Sequence, residues 1–220
     1  MGEAIAEVVS DRDDVAVVEE DCDVYVDFSA PEGLEHHLQI AVEAGKPIVI
    51  GTTGLSADQH RMIDEAARSI PVLQAANTSL GVNLLAHMVR QAAARLGPEW
   101  DIEIVEMHHR HKKDSPSGTA LLLGGAAAEG RRVDLADAED RGRDGMTGPR
   151  KEGDIGFAAL RGGSVAGDHQ VIFATDGERL EFGHRAESRT IFARGAVAAA
   201  TWLVGKPAAR YSMADLLDLT

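Results

Sequence analysis

Cysteine is nearly absent. Cys22 stands alone, so no disulfide can form within the chain and a reducing compartment is expected. Lysine is almost as scarce: 17 Arg and 5 Lys face 36 Asp and Glu, for a formal net charge of -14. That balance argues against nucleic acid and anionic membrane surfaces as partners. No apolar run approaches the roughly 18 residues of a transmembrane helix. The first residues are acidic and lack the form of a signal peptide, so a cytoplasmic protein is expected. The acidic, lysine-poor composition suits a salt-rich cytoplasm, where repulsion is screened, or simply a GC-rich genome. No internal repeat or low-complexity linker interrupts the chain.

What is present is enough for a core. Of 220 residues, 44% are hydrophobic, which suits one large domain or two small ones. Residues 2–9 read as a short amphipathic helix, and 15–18 as a short apolar run. Residues 24–28 form a strand pattern, followed by the turn 29–33, with Ser29 and Pro31 as start signals for a helix over 32–44. Strands at 47–50 and 71–75 alternate with a helix at 56–69, which predicts a parallel α/β sheet. Ligands on such sheets bind at loops after the strand C-termini, here Gly51-Thr52-Thr53-Gly54 and Ala75-Ala76-Asn77-Thr78.

The pattern then changes. A helix at 80–96, a strand at 101–107 and an Ala/Leu/Gly helix at 117–130 precede a charged, aperiodic stretch at 131–154, expected as a mobile surface loop. Strands at 155–161, 168–174 and 179–185 are separated by short turns and are expected to pair antiparallel. Helices at 190–205 and 212–218 end the chain. The fold class expected is α/β: a Rossmann-like parallel sheet domain, incomplete at its N-terminus, plus an α+β domain with an open antiparallel sheet. The boundaries expected are 1–78 with 190–220 for the first domain and 79–189 for the second.

Chemistry concentrates between Glu106 and Ala120. His108-His109-Arg110-His111-Lys112-Lys113 packs three imidazoles and two ammonium groups into six residues, ahead of Ser117-Gly118-Thr119 at a helix start. Imidazoles move protons near neutral pH. Ammonium groups and a helix N-terminus favour an anion. Zinc and a solvated basic loop are the competing readings; adjacent lysines disfavour a cation. If the strand continues through the histidines, His108 and His109 point to opposite faces. Ser117-Gly118-Thr119 could be a plain helix cap, but its place five residues after Lys112 favours carboxylate binding. Asn77, Ser79 and Asn83 could form a polar loop or a cap. His36, His37, His60, His87, His169 and His184 show no local partners and read as surface or core fillers. Cys22 has no flanking base and no assigned role.

These segments closely resemble the dihydrodipicolinate (4-hydroxy-tetrahydrodipicolinate) reductase family. The resemblance runs from about residue 23 to the end. It rests on Val24-Tyr25-Val26-Asp27-Phe28-Ser29-Ala30-Pro31-Glu32, Ile50-Gly51-Thr52-Thr53-Gly54, Ala76-Asn77-Thr78-Ser79-Leu80-Gly81-Val82-Asn83 and, most specifically, Glu106 to Ala120. His184 to Arg189 and Phe192 to Ala196 also fit. The resemblance implies reduction by NADH or NADPH of a cyclic dicarboxylate to tetrahydrodipicolinate, with loss of water, in diaminopimelate and lysine biosynthesis. It implies His108 as proton donor and acceptor, Lys112 as proton donor, and His109, Gly118 and Thr119 as substrate contacts. Gly51, Thr52, Thr53, Ala75, Ala76, Asn77 and Thr78 would contact the cofactor, although the family usually carries an aromatic residue or Met where Thr78 stands. No metal is implied. The family is generally a homotetramer built through its antiparallel sheets.

The family opens with a strand and a G-x-x-G-R-M-G loop, and Met1-Gly2 reads as the end of that loop. Only Glu19 to Asp23 separates 15–18 from the strand at Val24, too few residues for a parallel crossover. Three explanations follow: a start site assigned inside the loop together with an internal loss, a catalytically impaired relative that keeps oligomerisation and dicarboxylate binding, or compensation by partner subunits. A different nicotinamide-dependent reductase of another small acid is the remaining alternative. An uncovered sheet edge would be the structural cost.

Overall fold

A computed structural model describes residues 1–219 and divides the chain into two compact units: Met1–Asn83 with the residues from Thr190 onward, and Leu84–Arg189.

The first unit carries a parallel sheet of order β1-β2-β3-β9, from β1 (Tyr25–Asp27), β2 (Ile48–Ile50), β3 (Pro71–Gln74) and β9 (Ala209–Tyr211). All three residues of β2 are buried, as expected for a central parallel strand covered on both faces. One core packs Leu34 and Leu38 of α2 (Leu34–Ala44) and Ile63 of α3 (Ala57–Ala66) against Ile48, Ile50 and Val72. The other packs Ala199 and Leu203 of α7 (Thr190–Leu203) and Met213 of α8 (Met213–Leu216) against Val49 and Leu73. Helix α1 (Gly2–Ser10) lies along α7. Ser56 and Gln59 form a reciprocal capping box on α3, and Gly45, left-handed at φ 64°, ends α2.

Strand β9 was not anticipated: three residues between Pro207 and Ser212 carry no readable period. The 29–33 turn includes a single 3-10 turn at Pro31–Gly33, and α2 begins only at Leu34, without a side-chain cap. Val17 and Val18 of the short apolar run are exposed and β1 lies at the sheet edge, in line with a spacing too short for a parallel crossover.

The second unit is a five-stranded sheet of order β5-β6-β4-β7-β8, with β4 (Asp101–His108), β5 (Glu139–Asp140), β6 (Ile155–Arg161), β7 (Gly167–Thr175) and β8 (Glu178–Ala186). Residues 155–161 do not pair with 168–174 as expected. Strand β4 lies between them, parallel to β6 and antiparallel to β7, so the sheet is mixed. The β7–β8 hairpin is antiparallel, turning at Gly177 with φ 80°. Helix α4 (Leu80–Arg95), from Leu84 onward, and helix α5 (Gly118–Arg131) supply Leu85, Val89, Ala120, Leu123 and Ala127. These bury Ile102, Ile104, Phe157, Val171 and Phe173. Each such side chain contributes roughly 1.5–3 kcal/mol.

The 131–154 stretch is not simply an irregular loop. It contains α6 (Leu135–Ala138) and β5, and Arg150 pairs with Asp101 and Glu103, 2.8 Å from each, while Arg143 also reaches Glu103 at 2.8 Å. No helix among the described residues is long and apolar enough to cross a membrane.

Adjacent glycines in α5 test the packing. A Cβ on Gly124 would lie 2.4 Å from the Phe157 ring, whereas one on Gly125 meets nothing within 4 Å. Gly124→Ala is expected to destabilise by about 1–3 kcal/mol and Gly125→Ala to stabilise by about 0.8–1 kcal/mol. Thermal melts of the two variants should therefore move in opposite directions from wild type.

Candidate active site

The buried face of the five-stranded sheet changes character along its length. At one end it is apolar: Ile102 and Ile104 of β4 lie beside Ile155 and Phe157 of β6 and Phe173 and Val171 of β7. Two residues further along β4, the same alternation places Glu106 and then His108 on that face, with His169 across from Glu106 and Arg161 across from His108. His184 of β8 pairs with His169. A row of ionisable groups thus continues the hydrophobic core.

Glu106 is the centre of that row and only 1% exposed. A buried carboxylate stays charged only if it is paired and hydrogen-bonded. Arg161 donates to both of its oxygens, each bond 2.8 Å, and the Ser117 backbone N–H donates to Oε1 at 3.2 Å. His108 Nδ1 lies 2.5 Å from Oε2. Burial alone would raise this carboxyl, but the Arg161 and His108 hydrogen bonds outweigh it and hold Glu106 below the usual carboxylate range. An ionised carboxylate only accepts, so Nδ1 of His108 carries the proton and Nε2 is the nitrogen left for chemistry. Gly167 keeps that nitrogen clear, since a Cβ there would come within 2.9 Å of Nε2.

His169, read from sequence as a filler, belongs to this cluster. Its ring stands edge-on to His108 with centroids 5.0 Å apart, and its Nε2 lies 3.0 Å from Ser117 Oγ. Nδ1 is buried with no hydrogen-bond partner among the described residues. Burial, and then the positive charge of His108, lower its pKa to about 4, so the ring is neutral at pH 7. Burial also lowers His184. Other histidines expected to be unpartnered have partners too. His37 contacts Asp27 and Ser29, His60 faces Arg210, and His87 lies 3.4 Å from Arg90.

Beyond β4, His109 has left the strand, and its carbonyl accepts from the Lys112 N–H. Lys112 Nζ pairs with Asp114 at 3.0 Å, which holds the Asp114 carboxyl below its ordinary range. Ser117 is the N-cap of α5, accepting from the Ala120 N–H. Gly118 is exposed at the first turn, with open space where a Cβ would stand. An exposed glycine, the Thr119 hydroxyl and the N-terminal turn of a 14-residue helix can take a carboxylate. The cap and the anion site expected for Ser117-Gly118-Thr119 are therefore compatible. Among the described residues, no group of three or more His, Cys, Asp or Glu could hold a metal ion.

The first unit places the other expected residues at strand ends. Asp27, at the end of β1, is 5% exposed; it accepts from the Ser29 N–H at 2.9 Å and lies 3.4 Å from the Thr52 hydroxyl. Gly51 is pressed against Phe28, whose ring would lie 2.1 Å from an added Cβ. Gly51 and Thr52 are buried, while Thr53 is exposed. After β3, Ala75 donates to the Ile50 carbonyl and Ala76 is exposed. Thr78 is 1% exposed and its hydroxyl donates to the Phe192 carbonyl, so its side chain faces the protein interior. Asn77 accepts from the Ser79 N–H, Ser79 caps α4, and Asn83 donates to the Asn77 and Ser79 carbonyls. The polar loop and the helix cap are the same structure.

Local sequence pattern assigns no chemical role to Glu106, Arg161 or His169. The strict alternation of β4 and β7 could have placed Glu106 and His169 on the core face. Nothing local points to Arg161.

This arrangement has close relatives. Residues 1–78 match the family model "Dihydrodipicolinate reductase, N-terminus", and 81–217 match "Dihydrodipicolinate reductase, C-terminus". A 4-hydroxy-tetrahydrodipicolinate reductase of Zymomonas mobilis is 62% identical over 90% of this chain and 78% of its own length. The enzyme of that name from Parvibaculum lavamentivorans is 57% identical over 94% and 76%, and that from a Ruegeria species 50% identical over 99% and 80%. The fold is also that of a dipicolinate-bound dihydrodipicolinate reductase from a Paenisporosarcina species, with a TM-score of 0.71 at 24% identity over 86% of this chain and 71% of that one. With both family models matched in order and half or more of the residues shared with such relatives, the chain belongs to the dihydrodipicolinate reductase family.

Proposed function

We propose that the chain catalyses the reduction of 4-hydroxy-tetrahydrodipicolinate to tetrahydrodipicolinate with NADH or NADPH, in diaminopimelate and lysine biosynthesis. The observation that carries this reading is His108. Its Nδ1 is pinned by a buried, ionised Glu106 and its Nε2 is kept clear by Gly167, on the loop-side end of a sheet that also holds Lys112 and the start of α5.

The substrate is a dianion. Its carboxylates are met by Lys112, His109 and the first turn of α5, through Gly118 and Thr119. One hydride and one proton enter and one water leaves. His108, through Nε2, gives and takes protons, and Lys112 is the proton donor. His169, packed edge-on against His108, stays neutral at pH 7 and adds no charge to the site.

The loops after β2 and β3 suit a nicotinamide dinucleotide. Gly51 has no space for a Cβ, Thr52 is braced by Asp27, and Thr53 and Ala76 are exposed at strand C-termini. Gly51, Thr52, Thr53, Ala75, Ala76, Asn77 and Thr78 would hold the cofactor. Thr78 would contribute backbone atoms only, its hydroxyl being committed to Phe192. When bound, the cofactor supplies the hydride. Residues 1–78 with 190–220 are then the cofactor domain, and 79–189 the substrate and assembly domain.

The second face of the mixed sheet carries Val105, Met107, Ile172 and half-exposed Leu160, an apolar surface that supports a homotetramer assembled through the sheets. A cytoplasmic setting agrees with a single cysteine and a small soluble substrate. The reductase name shared by relatives 50–62% identical favours turnover over the impaired-relative alternative.

Purified protein given NADH or NADPH and the cyclic substrate should oxidise the cofactor. His108→Gln and Lys112→Met should each lower kcat by about 10²–10⁴-fold. Unchanged turnover in both variants would sink the site assignment, and turnover only with other cyclic imine acids would move the chain to a different reductase activity.

His169 makes the fold acid-sensitive. Its native pKa is about 4, below the ordinary value of 6.5, so between those values the unfolded chain binds a proton that the native protein refuses. Stability at this site is full above pH 6.5 and falls as pH drops toward 4, by roughly 3 kcal/mol in all. Urea unfolding at pH 7.5 and 5 should show a smaller pH effect for His169→Gln than for wild type.

A further inference from the structure

The fourfold pairing of Glu106 exceeds what stability asks of this position. One step along the same face, Ile104, Phe157 and Val171 fill the sheet with apolar side chains. A buried ion pair is seldom more stabilising than apolar residues of the same volume. What the ion pair adds is direction. Arg161 sits opposite His108 in the β4–β6 register and reaches diagonally to Glu106, presenting its planar fork to both carboxylate oxygens. The fork fixes the plane of the carboxylate, and the carboxylate fixes the ring of His108 through Nδ1. The same guanidinium donates to the Asp114 carbonyl at 2.7 Å, and Asp114 is the partner of Lys112. The second carboxylate oxygen holds the Ser117 N–H at the start of α5.

We propose that Arg161 and Glu106 are positioning residues that set the tautomer of His108 and hold the Lys112 loop and the α5 N-terminus in register with it. The proposal rests on the reductase reading and deepens it: three separate pieces of chain that handle the substrate and its protons are referred to one buried carboxylate. Arg161 and Glu106 act through His108, Lys112 and the helix start rather than on the reacting atoms.

The test combines kinetics with 15N NMR of histidine-labelled full-length protein. In the wild type, neutral His108 should show its proton on Nδ1. Glu106→Gln, confirmed as folded by circular dichroism, should lower kcat by about 10–100-fold, change KM by less than about threefold, and lose the fixed Nδ1–H signature. Arg161→Lys keeps the charge but neither the fork nor the tie to Asp114, and should fall between the two in both readouts. A folded Glu106→Gln variant with wild-type kcat, or with reduced kcat but an unaltered His108 tautomer, would overturn the proposal. So would loss of activity that tracks only loss of folded protein in both variants. A wild-type chain that turns over no substrate would overturn the reductase reading instead, and the His108 tautomer in wild type and variants would still decide for or against the positioning role.

Discussion

A carboxylate excluded from water must be neutralised, protonated or surrounded by donors, and Glu106 is surrounded. Its two oxygens accept from Arg161, His108 and the Ser117 backbone, and those three donors belong to β6, β4 and the start of α5. Much of the second unit is arranged by this requirement. The β4–β6 pairing must be parallel and in its observed register for Arg161 to reach the carboxylate. The segment between His108 and Ser117 must double back so that Ser117 can donate. Removing any one donor leaves a buried negative charge short of a partner, so the cluster is specified as a unit.

The same face shows how one strand serves both core and chemistry. Along β4 every second residue points inward, and the sequence simply changes from Ile102 and Ile104 to Glu106 and His108. The helices cover the apolar half. Where α5 begins, its N-cap Ser117 stands between Glu106 and His169, so the first turn lies where the sheet becomes polar. The helix start and the His108 ring are therefore placed by one packing arrangement. Rigid elements, not long loops, carry most of the groups.

Local pattern made much of this legible. Alternating strands and helices indicated the parallel sheet of the first unit, and the density of imidazoles and ammonium groups drew attention to Glu106 to Thr119, the segment that carries the buried Glu106–His108 pair. Pairing order was not legible. Residues 155–161 and 168–174 are neighbours in sequence, yet β4 inserts between them, and no local signal reports which strand lies in the middle of a sheet. Arg161 was hidden for the same reason, since its meaning depends on the β4–β6 register. His169 was readable in principle. It alternates with Val171 and Phe173, which marks it as buried, and a buried imidazole calls for a partner. Ala209–Tyr211 is too short for any period to betray a strand.

His169 and His108 show why burial and charge must be considered together. Two imidazoles 5.0 Å apart cannot both carry charge cheaply in a dry site. Glu106 touches only one of the two rings, and that ring is His108. His169 is left with a serine hydroxyl and a buried Nδ1 that has no partner among the described residues, so its neutral form wins. The asymmetry follows from register alone: Glu106 and His108 lie on one strand, two residues apart, while His169 is reached only across the β4–β7 ladder. One imidazole is thus held against the carboxylate, and the other packs beside it without charge.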